Sequence, residues 1–454
     1  MTVRKESELP LNFRAEAVTT ILRYVAAGDS CSVVGIGSVG KSNLLRSLQE
    51  KEVRRAKLGQ AWNTYLFVYI DVNKSLKRSL WGLLELMLHQ LMIEVTNQGA
   101  DEVTLQTIDD LHGRATEPKT RYLALRYLDR AVSMVCNQLG WRLVFLIDEF
   151  DELCRAMPRR GFAALRALRD DHKYWLIYVV ATRLELRRLR EEISDIEAFE
   201  ELVSPHTIWL GPYSEDDARF MLHRLEARHD VRLEEETTNH LLSATGGHPG
   251  LLRAGFRVMI EHPGNLQGML ASSSQVQDEC RRIWLSLAPK EQKAVVSLAG
   301  DMEVQPQLTG IMEQLRHKGL LGGPWVSADR IFSPLFAEYI RQRHPVVGAR
   351  VHIDRQRRIV WVDGRKIAGL APLEYKLIEY LEGKRGQVCS RDELAQYLYP
   401  EDMSLEGAGV TDTRIDSVVK RLRRRIEPNP RKPRYIVTVR GHGLRLADGD
   451  EVNK

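Results

Sequence analysis

A chain of 454 residues, 43% hydrophobic and 28% charged, can fill several packed cores, and no stretch of it approaches the roughly 18 consecutive apolar residues of a membrane span. The opening MTVRKESELP lacks the apolar run of a secretory signal, so the expectation is a cytoplasmic protein with no membrane partner. Residues 350–454 carry 22 Lys/Arg against 16 Asp/Glu, a surplus of six where the whole chain has five, which points to a polyanionic partner for the last quarter. Cys31, Cys136, Cys154, Cys280 and Cys389 lie far apart with no metal-ligand spacing and read as buried, reduced thiols.

From about residue 30 to 210, short β-rich apolar runs (32–34, 65–72, 142–147, 175–181, 207–210) alternate with amphipathic stretches (43–52, 81–95, 121–138, 162–170). Such alternation predicts a mostly parallel sheet covered on both faces. The polar stretch 97–120 shows no clear period and reads as a mobile loop. The first strand runs into GIGSVGKS, in which Gly35, Gly37, Ser38, Val39, Gly40, Lys41 and Ser42 fit the pattern G-x-x-x-x-G-K-[ST], and a helix follows. In that strand–loop–helix context the loop's N–H groups cradle phosphates, Lys41 reaches the β/γ-phosphates, and the Ser42 hydroxyl holds Mg²⁺. The strand in RLVFLIDEFDEL delivers Asp148 toward the same Mg²⁺ and Glu149 toward the attacking water, whereas Asp151 and Glu152 read as surface residues of a helix start. The cofactors implied are ATP and Mg²⁺.

The run 65–72 between these two motifs resembles the layout of additional-strand P-loop ATPases, the AAA+ and STAND proteins. In YVVATR (178–183) the resemblance casts Arg183 as a sensor of the γ-phosphate; the alternative is a surface arginine opening the basic helix that follows. GPYSEDDARFMLHRL (211–225) resembles the start of a helical lid. GGHPGLLR (246–253) resembles the G-x-P element that sets Gly247 and Pro249 beside the adenine; the alternative is a plain glycine helix stop before a proline-started helix. Residues 281–343 resemble a small winged helix, in which Arg316, His317 and Lys318 are either a solvated face or a DNA contact.

In the tail, VHIDRQRRIVWVDGRKI alternates and turns at Asp363-Gly364. Leu373, Leu377, Ile378 and Leu381 then share one helical face, and Ser390 with Glu393 forms a capping box. In TDTRIDSVVKRLRRRIEP, Ile415, Val419, Leu422 and Ile426 make a core-facing stripe, and Thr413, Ser417, Lys420, Arg421 and Arg424 share the opposite face. A helix buried on one side and cationic on the other suits the DNA major groove; the alternative is a solvated basic helix in a protein–protein module. RYIVTVRGHGLRL closes as a hairpin. Residues 351–446 resemble the OmpR/PhoB-type winged helix. By that resemblance Arg414, Ser417, Lys420, Arg421 and Arg424 fall at phosphate- or base-contacting positions, and Arg440 at the wing position of the minor groove. Leu444 stands where that family usually has tyrosine, and the loop 399–410 is long for its contact with RNA polymerase.

The fold class expected is an α/β P-loop ATPase (1–210) of the additional-strand class with a helical lid (211–275), followed by two winged-helix domains (276–345 and 350–447). The expected function is an ATP-hydrolysing switch, slow and regulatory, that binds double-stranded DNA, assembles with ATP into a homo-oligomer and regulates transcription. RNA polymerase or another recruited protein is a further partner. Two rival readings are an origin-recognition- or transposition-like AAA+ loader and a defence-type STAND sensor for which DNA is the input.

Overall fold

The structure, a computed structural model, describes residues 9–75, 77–117, 120–190, 192–261, 266–300, 309–344, 351–355, 358–362, 365–400 and 412–447. The chain divides into two compact units, Met1–Ala294 with Gln305–Ala337, and Val295–Val304 with Glu338–Lys454. The expected domain limits at 345 and 350 and the turn Asp363-Gly364 lie outside the described residues, as does most of the loop 399–410.

In the first unit five strands form one sheet: β1 (Cys31–Val34), β2 (Tyr65–Asp71), β3 (Arg142–Asp148), β4 (Leu176–Thr182) and β5 (Thr207–Trp209). Their spatial order is β2-β3-β4-β1-β5 and every pairing is parallel. β4 is thus inserted between the strand that feeds the glycine loop and the strand that ends in Asp148, the additional-strand arrangement expected from sequence. β1 and β4 are buried along their whole length, as strands covered on both faces must be, and this accounts for their unbroken apolar runs. Parallel register brings Asp71 beside Asp148 and Val34 beside Thr182, so the chemistry-bearing residues collect at one edge, the carboxyl ends of the strands.

Stretch 97–120 is not the expected loop: residues Glu102–Thr116 form a helix. Asp101 caps it by accepting from the Thr104 N–H at 3.0 Å. Thr104, Ile108, Leu111 and Ala115 recur at helical spacing and are buried, a stripe too thin to stand out against its polar neighbours. Beyond β5 come helices Glu215–His229, Glu235–Thr245, Pro249–Glu261, Leu266–Ser272 and Ser274–Leu285. Helices Pro289–Ala299 and Thr309–His317 then lead to an antiparallel pair, β6 (Leu321–Gly323) and β7 (Val326–Ile331).

Lys318 is neither solvated nor available to DNA. It is fully buried, and its Nζ bonds both carboxylate oxygens of Glu291, itself fully buried, at 2.6 and 2.8 Å. Arg188 Nη1 adds a third contact to Glu291 Oε1 at 3.1 Å, and Glu291 Oε2 accepts from the Ala288 N–H. His317 stacks on Trp209, with ring centroids 5.7 Å apart, and Arg316 pairs with Asp329.

The second unit carries a three-stranded antiparallel sheet of β8 (Val351–Asp354), β9 (Ile359–Val362) and β10 (Arg365–Ile367), then helices Pro372–Gly383, Arg391–Leu398 and Asp412–Ile426. A hairpin of β11 (Ile436–Val439) and β12 (Gly443–Leu446) closes it. The Ser390–Glu393 capping box forms in both directions, at 3.2 and 2.9 Å. Leu377, Ile378, Leu381, Ile415, Val419, Leu422 and Ile426 are all buried, with Val418 added to the stripe and Leu373 half-buried. Gly443 has φ +134°, and a Cβ there would sit 2.0 Å from the Cys389 carbonyl oxygen, so only glycine lets the hairpin close against that strand segment. All five cysteines are buried and free, and among the described residues no helix is long and apolar enough to cross a membrane.

Removing one partner of a fully buried ion pair leaves an unanswered charge. Glu291→Leu is therefore expected to destabilise the first unit by about 3–5 kcal/mol, and the double variant Glu291→Leu/Lys318→Met to recover most of that loss. Denaturant midpoints of the two variants check this.

Candidate functional site: a glycine-loop cavity and a basic helix

β1 ends at Val34 and the loop 35–42 turns into helix Lys41–Ser47. Gly40 sits at φ +98°, a left-handed conformation that aims the helix start back over the sheet edge. Residues 37–42 line a cavity of about 490 Å³ together with Asn43, Glu149, Arg183, Pro249, Arg253, Arg282 and Leu285. Of the nucleotide-site residues expected from sequence, Gly35, Asp148 and Gly247 are not among those that line it.

Lys41 is 5% exposed, and its Nζ donates to the carbonyls of Gly35 (2.7 Å) and Ile36 (3.2 Å). Burial pulls its pKa down, while the acids Asp151, Glu149 and Asp148 pull it back up. Asp148, 1% exposed, is held from two sides: Tyr69 donates its phenol to Oδ2 at 2.6 Å, and the Glu149 N–H donates to Oδ1 at 2.9 Å. Burial, then that hydrogen bond, push the Tyr69 phenol far up. Glu149 adopts φ +54°, unusual for a residue with a Cβ. That conformation turns its side chain to the cavity, where Arg183 Nη2 pairs with Oε2 at 2.9 Å.

Asp151 does not lie on the surface as its sequence context suggested. It is 3% exposed and accepts the Arg183 N–H on both oxygens at 2.9 and 3.2 Å. The carboxylate after β3 thereby fixes the backbone of the residue after β4, and Arg183, though exposed, lines the cavity and bonds Glu149.

Sequence reasoning missed three groups here. His248, between Gly247 and Pro249, is fully buried; its Nδ1 accepts the Leu251 N–H, so its Nε2–H donates to the Gly37 carbonyl at 2.9 Å. Arg14 donates to the carbonyls of Gly211, Pro212 and Val39 at 2.8–2.9 Å and lies 4.4 Å over the Tyr213 ring, tying the start of helix Ala15–Ala27 to the loop. Arg282 lines the cavity and pairs with the buried Glu279 at 2.8 Å. Arg14 and His248 act through partners distant in the chain, whereas Arg282 pairs with Glu279 one helical turn earlier.

The donor set fits a magnesium nucleotide. A hydroxyl at Ser42 and a carboxylate at Asp148 are hard oxygen ligands, Lys41 and Arg183 supply positive charge, and the cavity has the volume of small-molecule sites.

In the second unit, helix Asp412–Ile426 exposes Thr413, Arg414, Ser417, Lys420, Arg421 and Arg424, and the hairpin exposes Arg440. Their environments differ. Arg421 and Arg425 each lie 3.5 Å from the buried Glu374 carboxylate, Arg414 stacks over Tyr399 at 4.4 Å, and the Ser417 hydroxyl bonds the Thr413 carbonyl. Arg423 fastens the hairpin through the Ile436 carbonyl and Thr438. Among the described residues, Lys420, Arg424 and Arg440 make no ion pair.

A five-stranded parallel sheet with a glycine loop at its carboxyl edge defines a P-loop NTPase fold, joined in this chain to an OmpR/PhoB-type winged helix. Residues 12–253 match the family model Novel STAND NTPase 1, and the chain belongs to that family. Residues 364–446 match the model for the C terminus of transcriptional regulatory proteins. Curated relatives match over short stretches of the chain. The sensory transduction protein RegX3 of Mycolicibacterium smegmatis is 40% identical over 96 residues, 21% of this chain and 40% of that protein. Protein PetR of Rhodobacter capsulatus is 38% identical over 78 residues, 17% and 33%. The chain thus spans less than half the length of these relatives. Among solved structures, a Walker-type ATPase of Pyrococcus abyssi aligns at 15% identity and TM-score 0.48 over 72% of this chain and 95% of that one. The RstA DNA-binding domain of Klebsiella pneumoniae, solved with the RstA box, aligns at 27% identity and TM-score 0.18 over 22% and 91%.

The His248 imidazole is pushed down to about 3, first by burial and further by the charges of Arg14, Lys41 and Arg253. The fold therefore favours the neutral ring; its contribution is full above the ordinary imidazole range near ~6.5 and is lost as pH falls toward 3. Thermal stability should decline between pH 6.5 and 4, and His248→Gln should make that decline shallower.

Proposed function

We propose that this chain is an ATP-binding and ATP-hydrolysing switch that regulates transcription through its winged helix and assembles into a homo-oligomer when ATP is bound. The observation that carries the reading is the Glu149–Arg183 pair inside the glycine-loop cavity, in the same chain as a winged helix whose exposed Lys420 and Arg424 make no ion pair among the described residues. Loop N–H groups and Lys41 hold the phosphates, Ser42 and Asp148 hold Mg²⁺, and Pro249 flanks the base. Bound Mg²⁺ supplies neutralising charge at the phosphates. Glu149 orients and accepts a proton from the attacking water, which it does only after Arg183 leaves its carboxylate for the γ-phosphate. That exchange makes turnover slow, because the base is occupied until the arginine has a better anion.

DNA contact is assigned to Lys420, Arg424 and Arg440, with Thr413, Arg414 and Ser417 along the same face. Arg421 reaches DNA only by giving up Glu374. RegX3 and PetR match no more than 21% of this chain, which supports a regulatory role and leaves the promoter and the polymerase contact as proposals.

Two sets of variants test the reading. Lys41→Ala should lose ATP binding and the ATP-dependent gain in solution mass, whereas Glu149→Gln should bind ATP without turning it over; wild-type turnover in Glu149→Gln contradicts the assignment of the base. Arg424→Ala should lower the log–log salt slope of DNA binding by about one unit, and Arg421→Ala by clearly less. Equal affinity of the Arg424 variant and wild type for DNA contradicts the groove assignment.

A further inference from the structure

We propose that Tyr69 is a positioning residue for the metal: its phenol orients the Asp148 carboxylate so that the remaining lone pairs of that carboxylate face the magnesium nucleotide. The inference rests on the nucleotide reading of the cavity and assigns a task to β2, which the motifs leave without one.

The geometry follows from the register. Asp71 pairs with Asp148, and side chains alternate along a strand, so Tyr69, two residues before Asp71, lies on the same face as Asp148. From there the long side chain places its hydroxyl 2.6 Å from Asp148 Oδ2. Serine or threonine at this position lacks the reach. The other oxygen, Oδ1, accepts the Glu149 N–H at 2.9 Å. One donor on each oxygen fixes rotation about the carboxylate and leaves one lone pair per oxygen for a metal or its waters. Asp148 is 1% exposed, so bulk water does not compete for this task.

The ring is itself held. The Arg46 guanidinium lies 4.9 Å over it, from the helix Lys41–Ser47 that starts at the loop lysine and Ser42. The metal's two expected ligands, Ser42 and Asp148, are thereby tied through Tyr69: Ser42 by way of the helix and Arg46, Asp148 by the phenol. Partners one shell out from a metal typically change its affinity by 10–100-fold when removed.

The test is equilibrium binding of a fluorescent ADP analogue to the full chain, in EDTA and across a Mg²⁺ titration. Wild type, Tyr69→Phe, Asp148→Asn and the double variant are compared. Tyr69→Phe keeps the ring and the arginine contact and removes one oxygen. Its expected result is ADP affinity in EDTA within about twofold of wild type and a Mg²⁺ midpoint raised about tenfold. In the Asp148→Asn background the same substitution should shift nothing further, the non-additivity of a group that acts through another. An unchanged midpoint in Tyr69→Phe overturns the proposal, and so does equal weakening in EDTA and in Mg²⁺, which marks a structural role. Wild-type ADP binding that ignores Mg²⁺ overturns the metal site and this inference together, whereas Mg²⁺-dependent wild-type binding with an unshifted Tyr69→Phe overturns the inference alone.

Discussion

A lysine charge buried beside a sheet edge is the constraint on which the first unit depends. Lys41 is taken out of water, and burial alone favours its neutral form. Its charge is answered locally by two loop carbonyls and by a cluster of acids, Asp148, Glu149 and Asp151, at the end of β3. Those acids need cations and donors in turn, and the chain supplies Tyr69 from β2, Arg183 from after β4 and N–H groups from both turns. Asp148 has thus acquired a partner on β2, while Glu149 and Asp151 both bond Arg183, just after β4. The sheet order, with β4 inserted next to β3, is what puts Arg183 within reach.

The same logic separates the arginines of the winged helix. Six cations lie between Arg414 and Arg425 and two more, Arg440 and Arg445, on the hairpin, yet their neighbours divide them. Arg423 is half-buried and serves the hairpin; Arg421 and Arg425 answer the buried Glu374; Lys420, Arg424 and Arg440 make no ion pair among the described residues. An exposed cation with no internal anion is the one that gains most from a phosphate. Charge counting from sequence finds the helix but does not rank its members.

Much of the fold could be read in advance because the relevant signals are local. The loop 35–42 and the strand end at Asp148 are patterns within a few residues, the Ser390–Glu393 box spans one turn, and the stripe Ile415–Val419–Leu422–Ile426 follows helical spacing. What stayed hidden depends on distant partners. Lys318 sits in an Arg-His-Lys run that looks solvated, and only Glu291, 27 positions earlier, makes its burial tolerable. Asp151 looks like any helix-start acid until β4 is placed beside it. His248 and Arg14 meet backbone carbonyls that no spacing rule connects to them. Helix Glu102–Thr116 was missed for a different reason: four small or medium buried residues in fifteen give a weak stripe.

Nucleotide and DNA sites in one chain make a switch only if their binding energies are coupled. Linkage then demands that ATP tighten DNA by the same factor by which DNA tightens ATP. The direct measurement is a pair of titrations on the intact chain: DNA into protein with and without ATP·Mg²⁺, and ATP·Mg²⁺ into protein with and without DNA. The account predicts a gain in both, equal in size, and as large as about 10²–10⁴-fold if ATP assembles several winged helices on one DNA. DNA affinity that is the same with and without ATP·Mg²⁺ would contradict it.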